Sequence, residues 1–174
     1  MPTHATKILV PAGALGIPYD RPALAKGLKA GPDLIAIDGG STDSGPFYLG
    51  TGTSKYSRSA TRADWAELMA ARAKTGVPLL IGTAGTCGSD SAVDWMLDIT
   101  LEIARKRGER LKIATLKSGQ DKAFVCEALE SGRVTALDAA PNIDSDIVRD
   151  TTNIVALAGI EQIQAALDTG ADII

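Results

Sequence analysis

The segment Asp33 to Ser44, DLIAIDGGSTDS, joins an apolar run to a dense group of oxygen-bearing side chains. The carboxylates of Asp38 and Asp43 could act as catalytic acid and base, or could bind a divalent cation. Backbone amides and hydroxyls of the same loop suit a phosphate or a carboxylate, although a turn rich in capping residues has the same composition. The candidate substrate-binding residues here are Gly39, Gly40, Ser41, Thr42 and Ser44.

A second glycine-rich loop, GTAGTCGSD at 82–90, also lies between an apolar run and a helical pattern. Ser89 or Asp90 could cap the following helix, whose N-terminal dipole favours an anion. The spacing matches neither G-x-x-x-x-G-K-[ST] nor G-x-G-x-x-G, so it establishes no nucleotide motif. Cys87 could be a nucleophile or an inert buried residue. The candidate substrate-binding residues of this loop are Gly82, Thr83, Gly85, Thr86, Cys87 and Ser89.

Three basic or aromatic residues could contact an anionic substrate from outside these loops. Lys117 follows another apolar run and is a catalytic candidate that could pair with the substrate or with one of the two aspartates; an exposed loop lysine is the alternative. The polar connection at 44–58 predicts a loop long enough to serve as a lid, with Tyr56 and Arg58 as substrate contacts.

Strand-like and helix-like patterns alternate along the chain, which predicts an α/β fold. We expect an open, mostly parallel, Rossmann-like sheet of about six strands, flanked by helices. In such a sheet the loops that follow the strands meet at one edge, so the three candidate regions would lie close together. The predicted strands are at 7–10, 34–37, 79–81, 111–116, 153–157 and 171–174.

Helix signals separate these runs. Apolar spacing predicts helices at 21–29, 120–129, 142–148 and 160–167. Thr61 and Asp64 have the spacing of a capping box at the start of a helix that ends at Gly76, and another helix runs from the second loop to Gly108.

Composition narrows the possible functions. The 174 residues carry a net charge of −3 and show no large basic cluster, which argues against nucleic-acid binding. No apolar run approaches the roughly 20 residues of a membrane span, and the N-terminus has no secretory segment, so we expect no membrane partner and a cytoplasmic location. The chain has one histidine and two cysteines, which argues against a His-based triad or a multi-His metal centre within it.

The chain predicts a single α/β domain over residues 1–174, with no internal repeat or linker. Its final strand, ADII, has no loop after it, although such loops usually bind the ligand in open α/β sheets. We therefore expect the domain to be incomplete at its C-terminal end. A second copy in a homo-oligomer, another chain or a missing segment would complete it.

Three segments taken together resemble a known family. They are IDGGSTDSGPFYLGTG at 37–52, the GTAGT loop with its helix at 82–103, and TTNIVALAGIEQIQAALDTGADII at 151–174. In this order and spacing they are similar to the N-terminal part of the acyclic terpene utilisation family, formerly a domain of unknown function. Members of that family continue past the GAD strand into a loop that contains Gly and Arg, which this sequence does not reach.

The resemblance implies an enzyme, or an enzyme subunit, of small carboxylic acid or acyl-CoA catabolism. Combined with the residues above, it implies proton-transfer chemistry such as hydration, elimination or isomerisation, which would make the protein a lyase or an isomerase. Asp38 or Asp43 would be the acid or base, and Lys117 and Arg58 would neutralise a small anionic substrate. The cofactor is unknown, and a divalent cation is possible.

Two alternatives stay open. The DGGST sequence alone resembles the first phosphate loop of sugar and acetate kinases of the actin-like ATPase group, which would place Asp38 at a metal and make the protein a phosphotransferase. Those kinases follow the loop with a strand of a β-hairpin, whereas a loop is predicted here. The protein could also be a non-catalytic binding subunit of a larger enzyme.

Overall fold

The structure, a computed structural model, describes residues 5–40 and 44–174 and has an α/β fold. The described residues form three β-strands and seven α-helices. In chain order these are β1 (Ile8–Leu9), α1 (Arg21–Lys29), β2 (Leu34–Asp38), α2 (Gly45–Thr51), α3 (Arg58–Thr75), β3 (Leu79–Gly82), α4 (Asp90–Arg107), α5 (Lys122–Glu130), α6 (Ser145–Asp150) and α7 (Ile160–Asp168).

The strands form an open parallel sheet in the order β1, β2, β3. Ile35 pairs with Leu79, and Asp38 pairs with Gly82 at the end of the ladder. Because all three strands run in the same direction, the loops that follow them leave from one edge of the sheet. This edge, which we call the carboxyl edge, carries the first two candidate loops.

The prediction of about six strands is wrong for the described residues. The predicted strands at 111–116, 153–157 and 171–174 each provide only an isolated bridge, in which Ile173 pairs in parallel with Leu79 and Ile113, and Val155 pairs with Gly119 in the antiparallel sense. Residues on both sides of these bridges leave the ladder and line a cavity. Their apolar character therefore reflects cavity walls as well as sheet pairing.

The C-terminal segment is hydrogen-bonded on both sides within this chain. The amide of Leu79 donates to the carbonyl of Asp172 at 3.0 Å, and the amide of Ala114 donates to the carbonyl of Ile173 at 2.9 Å. Ile173 and Ile174 are buried, and the guanidinium of Arg72 binds the carboxylate of Asp172. Completion of the domain by another chain or segment stays a prediction.

Local capping signals explain most helix boundaries. Ser89 caps α4 by accepting a hydrogen bond from the amide of Ala92 at 3.3 Å, and Gly76 and Gly108 end α3 and α4 in the left-handed conformation. The capping box predicted at Thr61 is wrong, because Ser57 caps α3 one turn earlier through the amide of Ala60. Asp64 is therefore free of a capping role and lies inside the helix.

The prediction of a loop at 44–58 is wrong for the first half of that segment, which forms α2. Pro46 lies in the first turn, where its fixed φ suits a helix, and Gly52 ends the helix at a φ of 67°. Both signals are present in the sequence, but the weak apolar pattern between them concealed the helix. Only residues 52–57 remain as an irregular connection, so a long lid is not formed.

Helices pack against both faces of the sheet. Ile35, Ile37 and Leu79 point to the face that α3 and α4 cover, where the core includes the fully buried Trp65 and Ile99. Leu80 points the other way, because side chains alternate along a strand, and packs with a smaller cluster that includes residues of α7. None of the described helices is both long enough and apolar enough to cross a membrane.

Candidate functional site

Asp38 is the last residue of β2 and lies at the carboxyl edge with its side chain half-buried. Its Oδ1 accepts a hydrogen bond from the amide of Gly40 at 3.0 Å, and its carbonyl accepts one from the amide of Leu15 at 2.7 Å. These bonds hold the backbone and the carboxylate in one orientation, as an acid or base that acts on a bound substrate requires.

Gly39 and Gly40 face the neighbouring loop rather than open space. A Cβ on Gly39 would lie 2.5 Å from the carbonyl oxygen of Thr83, and a Cβ on Gly40 would lie 2.2 Å from the Cα of Thr86. The amide of Thr86 also donates to the carbonyl of Gly39 at 3.2 Å. The glycines therefore let two loops pack backbone to backbone, and their predicted contact with a ligand stays a prediction.

The loop after β3 has an unusual backbone. Thr83, Gly85, Thr86 and Gly88 have φ values of 49°, 62°, 79° and 66°. For a β-branched residue such as Thr86, this conformation is a true outlier, and such residues persist only where the surrounding structure holds them. Thr86 is held by its own hydroxyl, because its Oγ1 accepts a hydrogen bond from the amide of Lys55 at 3.0 Å. A Cβ on Gly85 would meet Ala92 at 2.8 Å, which packs this loop on the first turn of α4.

Cys87 and Ser89 are both buried between this loop and α4. The thiol of Cys87 donates to the hydroxyl of Ser89 at 3.5 Å, and Ser89 also caps the helix. The predicted position of Cys87 at the N-terminal end of a helix is thus correct. Its role as a nucleophile stays a prediction.

Lys117 and Arg58 do not lie with Asp38. The ammonium of Lys117 is 2.8 Å from the carboxylate of Asp94 on α4, and this hydrogen bond raises the pKa of Lys117. Arg58 pairs with Glu102 at 2.8 Å, and this bond, with a second one from Arg62, lowers the pKa of Glu102. Both predicted cations are therefore occupied in surface ion pairs with α4, Lys117 from a loop and Arg58 from α3.

Lys55 is the cation that the sequence analysis missed. Its ammonium is 3.4 Å from the hydroxyl of Ser44, the residue before α2, and 5.9 Å from the ring centroid of Tyr56. Tyr56 in turn packs over Gly16 in the loop after β1, where a Cβ would lie 2.6 Å from the ring. The position of Lys55 immediately after a polar turn was the sequence signal that could have identified it. The sequence has eighteen Lys and Arg residues, however, so this signal does not single out one of them.

A second carboxylate near the edge was also missed. Asp64 of α3 accepts a hydrogen bond from the amide of Gly16 at 3.2 Å, and partial burial raises the pKa of Asp64. One turn along the helix, hydrogen bonds from Arg21 and Tyr19 lower the pKa of Glu67. The loop after β1 therefore contacts both β2 and α3, because the amide of Leu15 binds the backbone carbonyl of Asp38 and the amide of Gly16 binds the carboxylate of Asp64.

Ser41, Thr42 and Asp43 lie outside the described residues, so the catalytic role of Asp43 and the substrate contacts of Ser41 and Thr42 stay predictions. Within residues 5–40 and 44–174, no three His, Cys, Asp or Glu side chains are grouped so that they could hold a metal ion. The expected divalent cation would therefore need ligands from the substrate or from the remaining residues, and it also stays a prediction.

A cavity of about 300 Å³ lies beside the loop after β3. Its walls come from β3, α3, α4, α7 and the three bridging segments, and most of the lining side chains are aliphatic. Among the predicted site residues, Gly82, Thr83 and Cys87 line it, whereas Asp38 lies one strand away as the register partner of Gly82. The predicted site thus separates into a polar edge and an apolar interior.

Comparisons with known protein families, with curated proteins and with solved structures gave no match to this chain.

Proposed function

We propose that the protein is an enzyme, or the catalytic part of one, that transfers a proton on a small carboxylic acid or its acyl thioester. Hydration, elimination and isomerisation are the reactions of this class. The resemblance to the acyclic terpene utilisation family supports the same substrates, and the proposal assigns the acid or base to Asp38.

The position of Asp38 carries the proposal. Its carboxylate is half-buried at the carboxyl edge, and the amide of Gly40 fixes its orientation. A catalytic carboxylate needs a fixed position within hydrogen-bond reach of the substrate. Asp38 is also the register partner of Gly82, which lines the apolar cavity.

Lys55 is the residue we assign to the substrate's negative charge. Its ammonium lies next to Ser44, and its amide is bound to Thr86 in the neighbouring loop. The side chain therefore stands over the junction of the two loops at the carboxyl edge. Lys117 and Arg58 are less suitable, because Asp94 and Glu102 already neutralise them.

A phosphotransferase is a weaker alternative. The kinases that share the DGGST sequence continue into a strand of a β-hairpin, whereas this chain continues into α2. A non-catalytic binding subunit would use the same loops and the same cavity. Activity measurements separate these functions.

The test is exchange of protons next to the carbonyl. Butanoyl-CoA and 3-methylbutanoyl-CoA, with the corresponding free acids, would be incubated with the protein in D₂O and followed by mass spectrometry. We expect deuterium incorporation that falls by at least about a hundredfold in Asp38→Asn, the usual scale of general acid–base catalysis. Asparagine keeps an oxygen that can accept from Gly40, so the loop is preserved.

Asp98→Asn is the matched control, because Asp98 is exposed on α4. It should exchange at the wild-type rate. Exchange that survives Asp38→Asn would contradict the assignment of Asp38. Binding of the thioesters without any exchange would favour the binding subunit, and phosphorylation of an acid or sugar by ATP would favour the kinase.

A further inference from the structure

We propose that the cavity beside the loop after β3 binds an uncharged aliphatic group. The inference rests on the proposed function only for the polar head group of the ligand. Binding of the aliphatic part of the ligand is inferred from the walls of the cavity.

None of the described residues that line the cavity is charged. Two buried polar side chains of the wall are already paired: the indole Nε1 of Trp65 donates to the hydroxyl of Thr100 at 2.9 Å, and that hydroxyl donates to the carbonyl of Met96 at 2.8 Å. A charged or strongly polar group placed here would lose its hydration without gaining partners. The interior therefore selects apolar, uncharged atoms.

The volume limits the size of the group. At about 30 Å³ for each water-sized group, a cavity of about 300 Å³ holds at most about ten non-hydrogen atoms. Because most of the lining is apolar, a ligand that fills the cavity buries apolar surface and gains dispersion contacts with the walls. An aliphatic chain of at most about ten non-hydrogen atoms, straight or branched, matches both the volume of the cavity and its apolar lining.

The polar residues in the wall indicate how the ligand is oriented. Thr83 and Cys87 lie in the loop at the carboxyl edge, whereas Trp65, Met96 and Ile173 form the deeper, buried wall. A chain that enters with its apolar end first would leave its head group near Gly82, next to Asp38. The cavity and the proposed acid or base would then serve the same molecule.

The experiment uses neutral n-alkanols from butanol to nonanol as probes. Trp65 lines the cavity, so the intrinsic fluorescence reports binding, and calorimetry provides an independent measurement. We expect the affinity to rise about fourfold for each methylene, as burial of apolar surface predicts, until the cavity is full. Affinity that does not depend on chain length would overturn the inference.

Gly82→Val fills the cavity from its wall. A Cβ at Gly82 meets no atom within 4 Å, and its φ is not in the left-handed region, so valine should fit without backbone strain. We expect about tenfold weaker binding of the longest alcohols that the wild type accepts. Gly82→Ala adds one carbon, should weaken binding about fourfold, and replaces the valine variant if that variant does not fold.

Gly13→Val is the matched control. Gly13 also has open space around its Cβ position, but it is exposed in the loop after β1 and does not line the cavity. Its alkanol affinities should equal those of the wild type. Equal affinities of Gly82→Val and wild type would overturn the inference, because the alkanols would then bind elsewhere.

The same series of n-alkanoates separates this inference from the proposed function. If the alkanols bind with the expected dependence on length and the alkanoates bind no more tightly, the cavity assignment stands and the anion site fails. If neither series depends on length while Asp38-dependent proton exchange occurs, the proposed function stands and the cavity assignment fails.

Discussion

The loops that follow β2 and β3 lie side by side at the carboxyl edge, yet they use their glycines differently. In the loop after β2, Gly39 and Gly40 have no room for a side chain, because the backbone of the other loop fills that space. At the end of β3, where the second loop begins, Gly82 has open space around its Cβ position and lines a cavity. Glycine content alone therefore does not identify the loop that faces a ligand.

The loop after β3 also carries backbone strain. It holds Thr83 and Thr86 at positive φ. Threonine in this region costs roughly 1–2 kcal/mol. Such strain persists where the surrounding structure imposes it, and it is often found at binding sites. This strain agrees with an interior, ligand-facing role for the loop after β3.

The largest expected effect concerns the contact between the loops. Gly40→Ala would place a methyl group 2.2 Å from the Cα of Thr86, which is backbone that cannot move aside without displacing the loop. We expect the free energy of unfolding, measured in urea, to fall by about 3 kcal/mol, the upper end of overpacking costs. In Gly50→Ala, where nothing lies within 4 Å, it should instead rise by roughly 0.5 kcal/mol, because Gly50 is in α2. A loss below about 1 kcal/mol for Gly40→Ala would show that the loops can separate.

A smaller effect concerns the connection between α2 and the cavity wall. Asn153 donates from Nδ2 to the carbonyl of Leu49 at 2.7 Å, and Ala156 in the wall donates to the carbonyl of Ser118 at 2.9 Å. Asn153→Ala should remove about 1 kcal/mol of local stability, so the amide hydrogen of Ala156 should exchange about fivefold faster.

The control for this change is Asn142→Ala, because Asn142 is exposed in the segment before α6. It should leave exchange at Ala156 unchanged. Equal exchange in both variants would mean that α2 and the cavity wall move independently.

The smallest expected effect concerns backbone strain. Asparagine adopts the left-handed region more easily than threonine, so Thr83→Asn should raise the free energy of unfolding by about 0.5–1 kcal/mol. Thr152→Asn, at an exposed position without positive φ, should leave it unchanged. A stability loss in Thr83→Asn would show that the threonine side chain contributes contacts that outweigh the strain.

The elements that carry strong local signals were predictable. The bounds of α1 agree with the prediction, and α4 ends at Gly108 as expected, because caps and apolar spacing act within a few residues. The strand β2 and the position of Asp38 at its end were predicted for the same reason. Helix α2 was missed although Pro46 and Gly52 mark its ends. Its weak apolar pattern did not reveal which face would be buried.

The candidate site was predicted only in part. Lys117 and Arg58 have the right chemistry, but Asp94 and Glu102 bind them from α4, and these partners are 23 and 44 residues away in sequence. Asp64 and Lys55 were overlooked because their partners, Gly16 and Ser44, become neighbours only after folding. The location of a charged side chain depends on the closest opposite charge, which sequence order does not reveal.

The sequence by itself determined the α/β class and the placement of two glycine-rich loops after buried strands, because strand periodicity and turn residues are local properties. Tertiary structure alone decided that the apolar runs around Ile113, Val155 and Ile173 line a cavity and form only isolated bridges instead of full strands. It also decided that Gly40 packs on Thr86 and that Gly82 faces open space. The reason is physical: an apolar run or a glycine has the same sequence whether backbone, solvent or a cavity lies beside it, and only packing between distant segments selects one.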